Sequence, residues 1–382
     1  MNELATALYP GQVEAPTKAR ARPFRRALQT IHLWVGLILC IPIILIGLSG
    51  SALLVQREIL RWSVPAVSGV GESQSIAGMV AAAQASVAPN LRANFIELPS
   101  SRGRPAVVQF QFANRPPRNM EVYVDPVSLK VLGSSEVVRR GPIRDVLVTM
   151  HEYLMFPGHI GLPLVGWMAV VMTFMGLSGM ILWWPRKGRW LSAFLVRRGA
   201  RGLRLHLDLH HAAGIWGSLL FLTLSISGIY LAFPQSTSET VRAVFPSHAT
   251  ADDPPFPRRA PPSGPDQAFE FAASAMPDAR VRAIQLPRAP DRPFMVQMES
   301  TTGFGPSIPP ITVAFDVKNG DISVDDPRAY TTANRILNTL YALHFSLGMG
   351  GVWTLLVFLT GLLPLLFAIT GLNIWWLKRR SR

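Results

Sequence analysis

The sequence predicts a membrane all-α four-helix bundle, built as two tandem two-span repeats, with two small α+β modules outside the membrane. Three observations carry that expectation. Four apolar stretches, roughly 31–55, 162–184, 209–233 and 352–377, each hold the ~20 apolar residues needed to cross hydrocarbon. The 382-residue chain is 49% hydrophobic and only 16% charged, the balance of a multi-pass membrane protein. Finally, the first two stretches recur in the second half with matching landmarks. His32, Gly36 and Ser49-Gly50 reappear at identical offsets as His210, Gly214 and Ser227-Gly228. His151 with Ser178-Gly179 is answered by His344 with Thr370-Gly371, one residue closer. A tandem duplication accounts for such a period better than chance.

The elements follow in order. Residues 1–24 form a tail whose first 18 residues hold Glu3, Glu14 and two prolines and no apolar core, so no cleavable secretory signal is expected and the first span, 25–56, doubles as an anchor. Residues 57–145 are too long for a connection and read as a folded module. Within them Ala77–Val87 is helix-forming, Ala106–Phe112 suggests a strand, and Val122-Tyr123-Val124-Asp125-Pro126 before Lys130-Val131-Leu132-Gly133 reads as strand, Asp turn, strand. An outer helix and the second span occupy 146–185, with Pro157, Gly158, Gly161 and Pro163 as breakers between them.

A basic segment, 186–205, follows; Trp190–Leu205 fits either an amphipathic helix on anionic headgroups or a solvated loop. The third span is 206–233. The second module, 234–335, contains a proline-packed linker from Asp252 to Pro265, a helix at Gln267–Ala275, a strand at Phe294–Met298, and Val313–Asp316 turning through Lys318-Asn319-Gly320 to Ile322. A second outer helix and the fourth span cover 336–377, with Gly348, Gly350 and Gly351 as breakers, and 378–382 is a tail.

Charge sets the orientation. The net charge is +14, and its excess is gathered in Lys18–Arg26, in Arg186–Arg204 and in Lys378–Arg382. By the positive-inside rule these clusters face the cytoplasm, which puts both termini inside and both modules outside. This placement accounts for the charge without nucleic acid as a partner. Trp62, Trp167, Trp183, Trp184, Trp375 and Trp376 fall where interfacial belts belong. Cys40 is the sole cysteine and lies within a span, so neither a disulfide framework nor a CxxC motif is available.

Ionisable side chains at bilayer depth are costly and by default functional. His32, His151, His210 and His344 are therefore the candidate ligands. Structural zinc or an iron-sulfur cluster lacks thiolates here, and Glu152 and Asp208 are the only carboxylates nearby. Imidazoles facing each other across an apolar bundle suit haem iron, and the absence of CxxCH points to haem b. His32 and His210 begin outward spans while His151 and His344 precede inward ones, so two pairs would hold two haems at two depths. His206 and His211 compete with His210 by position, and His159 competes with His151; His248 reads as a surface residue.

These residues resemble the PepSY-associated transmembrane proteins, also called the iron-regulated membrane protein family, which includes periplasmic ferric-siderophore reductases. The likeness rests on His32-x-x-x-Gly36 with Ser49-Gly50, on Asp208-Leu209-His210, Leu343-His344, the Gly-Met-Ile-Leu-Trp-Trp and Gly-Leu-Asn-Ile-Trp-Trp span ends, and the Val-Asp-Pro turn. It implies a four-span bundle carrying b haem on span histidines, PepSY-like periplasmic modules, and reduction of siderophore-held ferric iron. No Gly-rich nucleotide turn is present, so the electron donor would be a quinol or a cytoplasmic flavoprotein. The competing expectations are a PepSY-type sensor or regulatory binding protein with the spans as anchors, and, less consistent with unbroken spans, a permease.

Overall fold

The computed structural model describes residues 23–62, 64–67, 69, 71–112, 119–137, 142–185, 190–246, 260–287, 289, 292–300, 309–316 and 321–381. The expectations for the 1–22 tail, for His248, for most of the proline linker and for the Lys318-Asn319-Gly320 turn lie outside the described residues.

Four helices among the described residues are long and apolar enough to cross a membrane: α1 (Pro23–Trp62), α4 (Gly158–Trp183), α6 (Gly202–Ala232) and α10 (Gly350–Arg380). Ile38, Leu219 and Val352 are 70%, 75% and 76% exposed, although in water such side chains would be driven inward. Apolar flanks of this kind are what spanning helices present to lipid, where backbone groups must be satisfied within the helix itself.

Between the spans stand shorter helices. These are α2 (Ile76–Ala85), α3 (Pro142–Tyr153), the single turn α5 (Trp190–Ala193), α7 (Pro234–Val244), α8 (Pro265–Ala275) and α9 (Thr332–Phe345). Helix α3 lies against α1 and α9 against α6, so each precedes a span as a separate outer helix. The chain breaks after α3 through left-handed backbone at Leu154 and Met155, and after α9 through Ser346 and Gly348. Gly158, Gly161 and Pro163, expected as breakers, instead lie within α4. Gly161 is needed there because a Cβ would press on the Tyr153 Cβ 2.6 Å away, where the end of α3 abuts α4.

The expected basic segment is neither a full amphipathic helix nor a free loop. After the single turn of α5 the chain runs non-helically to α6, and it is tied down by two indole N–H groups. Trp183 Nε1 donates to the Ala193 carbonyl at 3.0 Å and Trp216 Nε1 to the Phe194 carbonyl at 3.1 Å. Arg186, Lys187 and Arg189 are outside the described residues. Helix α7 was not anticipated; it continues almost directly from α6 beyond Phe233.

The largest departure concerns the two modules. Their strands are β1 (Ala93–Glu97), β2 (Ala106–Gln111), β3 (Asn119–Val124), β4 (Val131–Val137), β5 (Ala279–Gln285), β6 (Phe294–Ser300), β7 (Ile311–Phe315) and β8 (Ile322–Asp325). They form one antiparallel sheet in the order β4-β3-β2-β1-β5-β6-β7-β8. The halves meet where β1 pairs β5, with Phe95 opposite Gln285 and Ile96 opposite Ile284. Joining them hides two edges that would otherwise stand open to other chains. Alternate residues then feed one shared core under α2 and α8, including Ile96, Val108, Phe110, Val122, Ile284, Val296, Met298 and Val313. The helices lock the halves too: the Asp266 carboxylate at the start of α8 accepts from the Ile76 and Ala77 amides of α2, at 2.6 and 3.0 Å. A helix N-terminus of one half is thus capped by the other.

In the bundle α1 and α10 cross closely. A Cβ on Gly361 would collide with the Ser51 Oγ and lie 2.7 Å from the Gly47 carbonyl oxygen, and Ser51 Oγ donates across the crossing to the Phe358 carbonyl at 2.8 Å. Small residues at such a contact let two backbones approach, the usual source of helix affinity in lipid. Gly361→Val is expected to destabilise the bundle by about 1–3 kcal/mol, since the obstructing atoms include backbone that cannot swing aside; thermal unfolding in detergent measures it.

Candidate functional site

Four histidines are held by one repeated device. His32 on α1 places Nδ1 2.7 Å from Ser178 Oγ on α4. His210 on α6 places Nδ1 2.8 Å from Thr370 Oγ1 on α10. His344 on α9 places Nδ1 2.9 Å from Ser227 Oγ on α6, with the Leu224 carbonyl as a further partner. His151 on α3 places Nδ1 2.8 Å from the Ile46 carbonyl on α1 and 3.5 Å from Ser49 Oγ.

The direction of these bonds follows from the hydroxyls. Each has one proton, and each spends it on its own helix. Ser178 Oγ donates to the Met175 carbonyl at 3.2 Å, Thr370 Oγ1 to Leu366 at 2.7 Å, Ser227 Oγ to Thr223 at 2.8 Å and Ser49 Oγ to Leu45 at 2.6 Å. What remains is an acceptor oxygen. The Ile46 carbonyl can only accept. All four imidazoles therefore carry the proton on Nδ1 when neutral, and the lone pair sits on Nε2. A donated Nδ1–H is the usual outer partner of a histidine that binds metal through its other nitrogen.

The residue after each hydroxyl is glycine, and it faces the same ring. A Cβ on Gly50 would come 2.7 Å from His151 Cε1. On Gly179, Gly228 and Gly371 it would come 3.5, 3.7 and 3.9 Å from Cε1 of His32, His344 and His210. The four Ser/Thr-Gly pairs were visible in the sequence as landmarks of the repeat; their role as histidine partners needed the tertiary structure.

The rings fall into two groups. His151 and His344 face each other with centroids 6.1 Å apart and planes inclined by 53°. His210 packs against Phe367 with centroids 5.2 Å apart, and His32 lies within electrostatic range of it. From His32 to Ile46 there are 14 residues of α1, about 21 Å of helix axis, so the two groups sit at opposite ends of the bundle.

The other histidines are placed differently. His159 is exposed in the first turn of α4. His211 is among Asp208, Arg204, Lys378 and Arg25 at the end of the bundle that holds both termini of the described chain. His206 has a buried Nδ1 without a hydrogen-bond partner. Asp208, considered beside these histidines, is itself engaged: it is 5% exposed, 2.7 Å from Arg204 Nη2, and accepts from the Arg197 amide at 3.3 Å. It anchors the non-helical segment to α6. Among the described residues no three His, Cys, Asp or Glu side chains converge as a metal cage.

A four-span helical membrane protein, with a strand-rich unit joined to one end of its bundle and paired histidines inside it, is the class that fold and site define. Residues 29–378 match the family model described as the PepSY-associated TM region, and the chain belongs to that family. No curated protein matches the chain.

Two outcomes test the device. Thr370→Val keeps the shape of the side chain but leaves a buried imidazole N–H without its acceptor, so about 1–3 kcal/mol of stability should be lost and Thr370→Ser should restore it. Gly50→Ala should unfold the protein at a lower temperature while Gly228→Ala stays near the native midpoint, because the first methyl overlaps His151 and the second makes ordinary contact.

Proposed function

We propose that this chain is a two-haem b electron-transfer protein of the inner membrane. It reduces an acceptor on the sheet side, most directly ferric iron held by a siderophore. The observation that supports this above all is the set of four imidazoles whose Nδ1–H is spent on an acceptor, leaving Nε2 free to bind. One ion taking a nitrogen from each of two rings at about 2 Å sets their centroids on the order of 6 Å apart, which is the separation of His151 and His344. A pair of ligands, rather than a cage of three or more, suits a metal whose remaining positions a macrocycle fills.

The residues divide the work. His151 and His344 would hold one haem near the sheet, and His32 with His210 would hold the other near the termini. Haem b supplies a one-electron iron couple when bound. Ser178, Thr370, Ser227, Ser49 and the Ile46 carbonyl fix each ring's tautomer and orientation, and they raise the basicity of Nε2. Glycines 50, 179, 228 and 371 keep side-chain atoms from beside the rings, where a flat group must approach. The apolar spans exclude water, which favours an electron path along the bundle over proton leakage.

Arg25, Arg26, Arg197, Arg198, Arg201, Arg204, Lys378, Arg379 and Arg380 gather at the end opposite the sheet. The positive-inside rule then puts the sheet in the periplasm and the electron donor, a quinol or a flavoprotein, at the other end. One electron converts the ferric chelate to ferrous, which oxygen-rich chelators hold less tightly. Release of iron follows without covalent chemistry on the chelator.

Absorption spectra of the purified protein test this proposal. The expected result is a reduced b-type signal from two haems per chain, half of it lost in His151→Ala or His344→Ala and the other half in His32→Ala or His210→Ala. Colourless protein from porphyrin-replete cells, or a signal indifferent to all four substitutions, overturns it.

A further inference from the structure

Arg57 is the first charged residue of α1 after Arg26, and it stands two turns beyond Gly50 on the same helix face. Gly50 is the glycine against His151, so this guanidinium lies on the His151 side of α1 toward the sheet. Its Nη1 donates to the Phe345 carbonyl at 2.5 Å, the residue next to His344 and the last of α9. Its Nε donates to Glu58 at 3.3 Å. The Nη2 group is buried and makes no hydrogen bond, though it forms an ion pair with Glu58 Oε1 at 3.2 Å. The side chain as a whole is 26% exposed.

Capping the last carbonyls of α9 explains one arm of the fork. It does not explain the other. A guanidinium has five donors in a rigid plane and stays charged, so a buried Nη2 whose N–H groups make no hydrogen bond carries a desolvation cost that the Glu58 ion pair offsets only in part and an incoming anion would offset further. The repeat sharpens the point. Arg57 and Gln235 occupy the same place relative to Ser49 and Ser227, and Gln235 is exposed and bonds Glu239 within α7. The cation therefore belongs to one half alone and lies beside the one pair of rings that face each other.

We infer that Arg57 Nη2 is the docking point for an anionic carboxylate of the macrocycle held by His151 and His344, that is, a haem propionate. This rests on the haem reading above and adds a residue that no ligand argument selects. Propionates are the only charged substituents at the edge of a b haem, and in an apolar slot they need a paired cation or a path to water. A cation fixed at that position also favours the reduced, more negative state of the nearby couple.

Potentiometric titration of the haem-loaded native chain and of Arg57→Gln and Arg57→Lys decides the matter. The expected result is a lower midpoint potential for the His151/His344 haem in Arg57→Gln, an unchanged midpoint for the His32/His210 haem, and most of the native value retained in Arg57→Lys. A helix cap alone would lower the unfolding temperature and leave both midpoints where they were, and that result overturns the inference. If neither variant assembles, a structure of the native chain with haem bound gives the answer. Nη2 within hydrogen-bond distance of a propionate oxygen supports the inference, and propionates directed elsewhere overturn it. A native chain that binds no haem refutes the proposed function itself, whereas two bound haems with insensitive midpoints refute only the role of Arg57.

Discussion

An imidazole inside an apolar bundle must give its N–H to something, and that requirement organises this molecule. The acceptor is in each case a hydroxyl whose own proton already serves its helix, or a backbone carbonyl. Such a group cannot donate, so it sets the tautomer as well as the position of the ring. The consequence extends outward. His32 couples α1 to α4, His210 couples α6 to α10, and His151 and His344 attach the short helices α3 and α9 to α1 and α6. Bonds between helices are sparse in lipid, so these also hold the bundle together.

The two nitrogens of each ring are not equivalent. Nδ1 carries the structural bond, and the lone pair is left on Nε2. The hydroxyl must come from a helix other than the histidine's own, because a side chain on the same helix would point along it rather than across the interior. Glycine after the hydroxyl then follows from space. At Gly50 the His151 ring already fills the room a methyl would take, whereas at Gly228 and Gly371 the gap beside the ring is wider.

The sheet bears on the site through geometry. Each half of the chain leaves the bundle by a long helix, builds a four-stranded unit and returns through a short histidine-bearing helix. Pairing β1 with β5 and capping α2 with Asp266 make these two excursions one body. Because α3 and α9 re-enter from that body, the spacing of His151 and His344 is tied to one continuous eight-stranded sheet. A loose pair of modules would leave that spacing to two independent linkers.

The apolar spans, the terminal basic clusters and the matched histidines were legible in the sequence, because hydrophobic length, charge and repeat period are properties of composition and order. The outer helices before the second and fourth spans were expected from the glycines and prolines that follow His151 and His344. The strands β1 and β5 were not. Ala93–Glu97 is short and alternates weakly; Ala279-Arg280-Val281-Arg282-Ala283 does alternate, but the pairing of the two strands spans a sequence separation no local pattern reports. Arg57 was likewise silent, since a cation at the end of a span is ordinary until the carbonyl beside it is known.

By itself, then, the sequence determined that the chain crosses a membrane, where its histidines fall along the spans, and that its halves echo one another. Only the tertiary structure decided which hydroxyl meets which imidazole, which rings face each other, and that the two strand-rich units are one. The reason is physical: hydropathy acts residue by residue along the chain, whereas hydrogen-bond direction and ring separation are set between helices that meet only after folding.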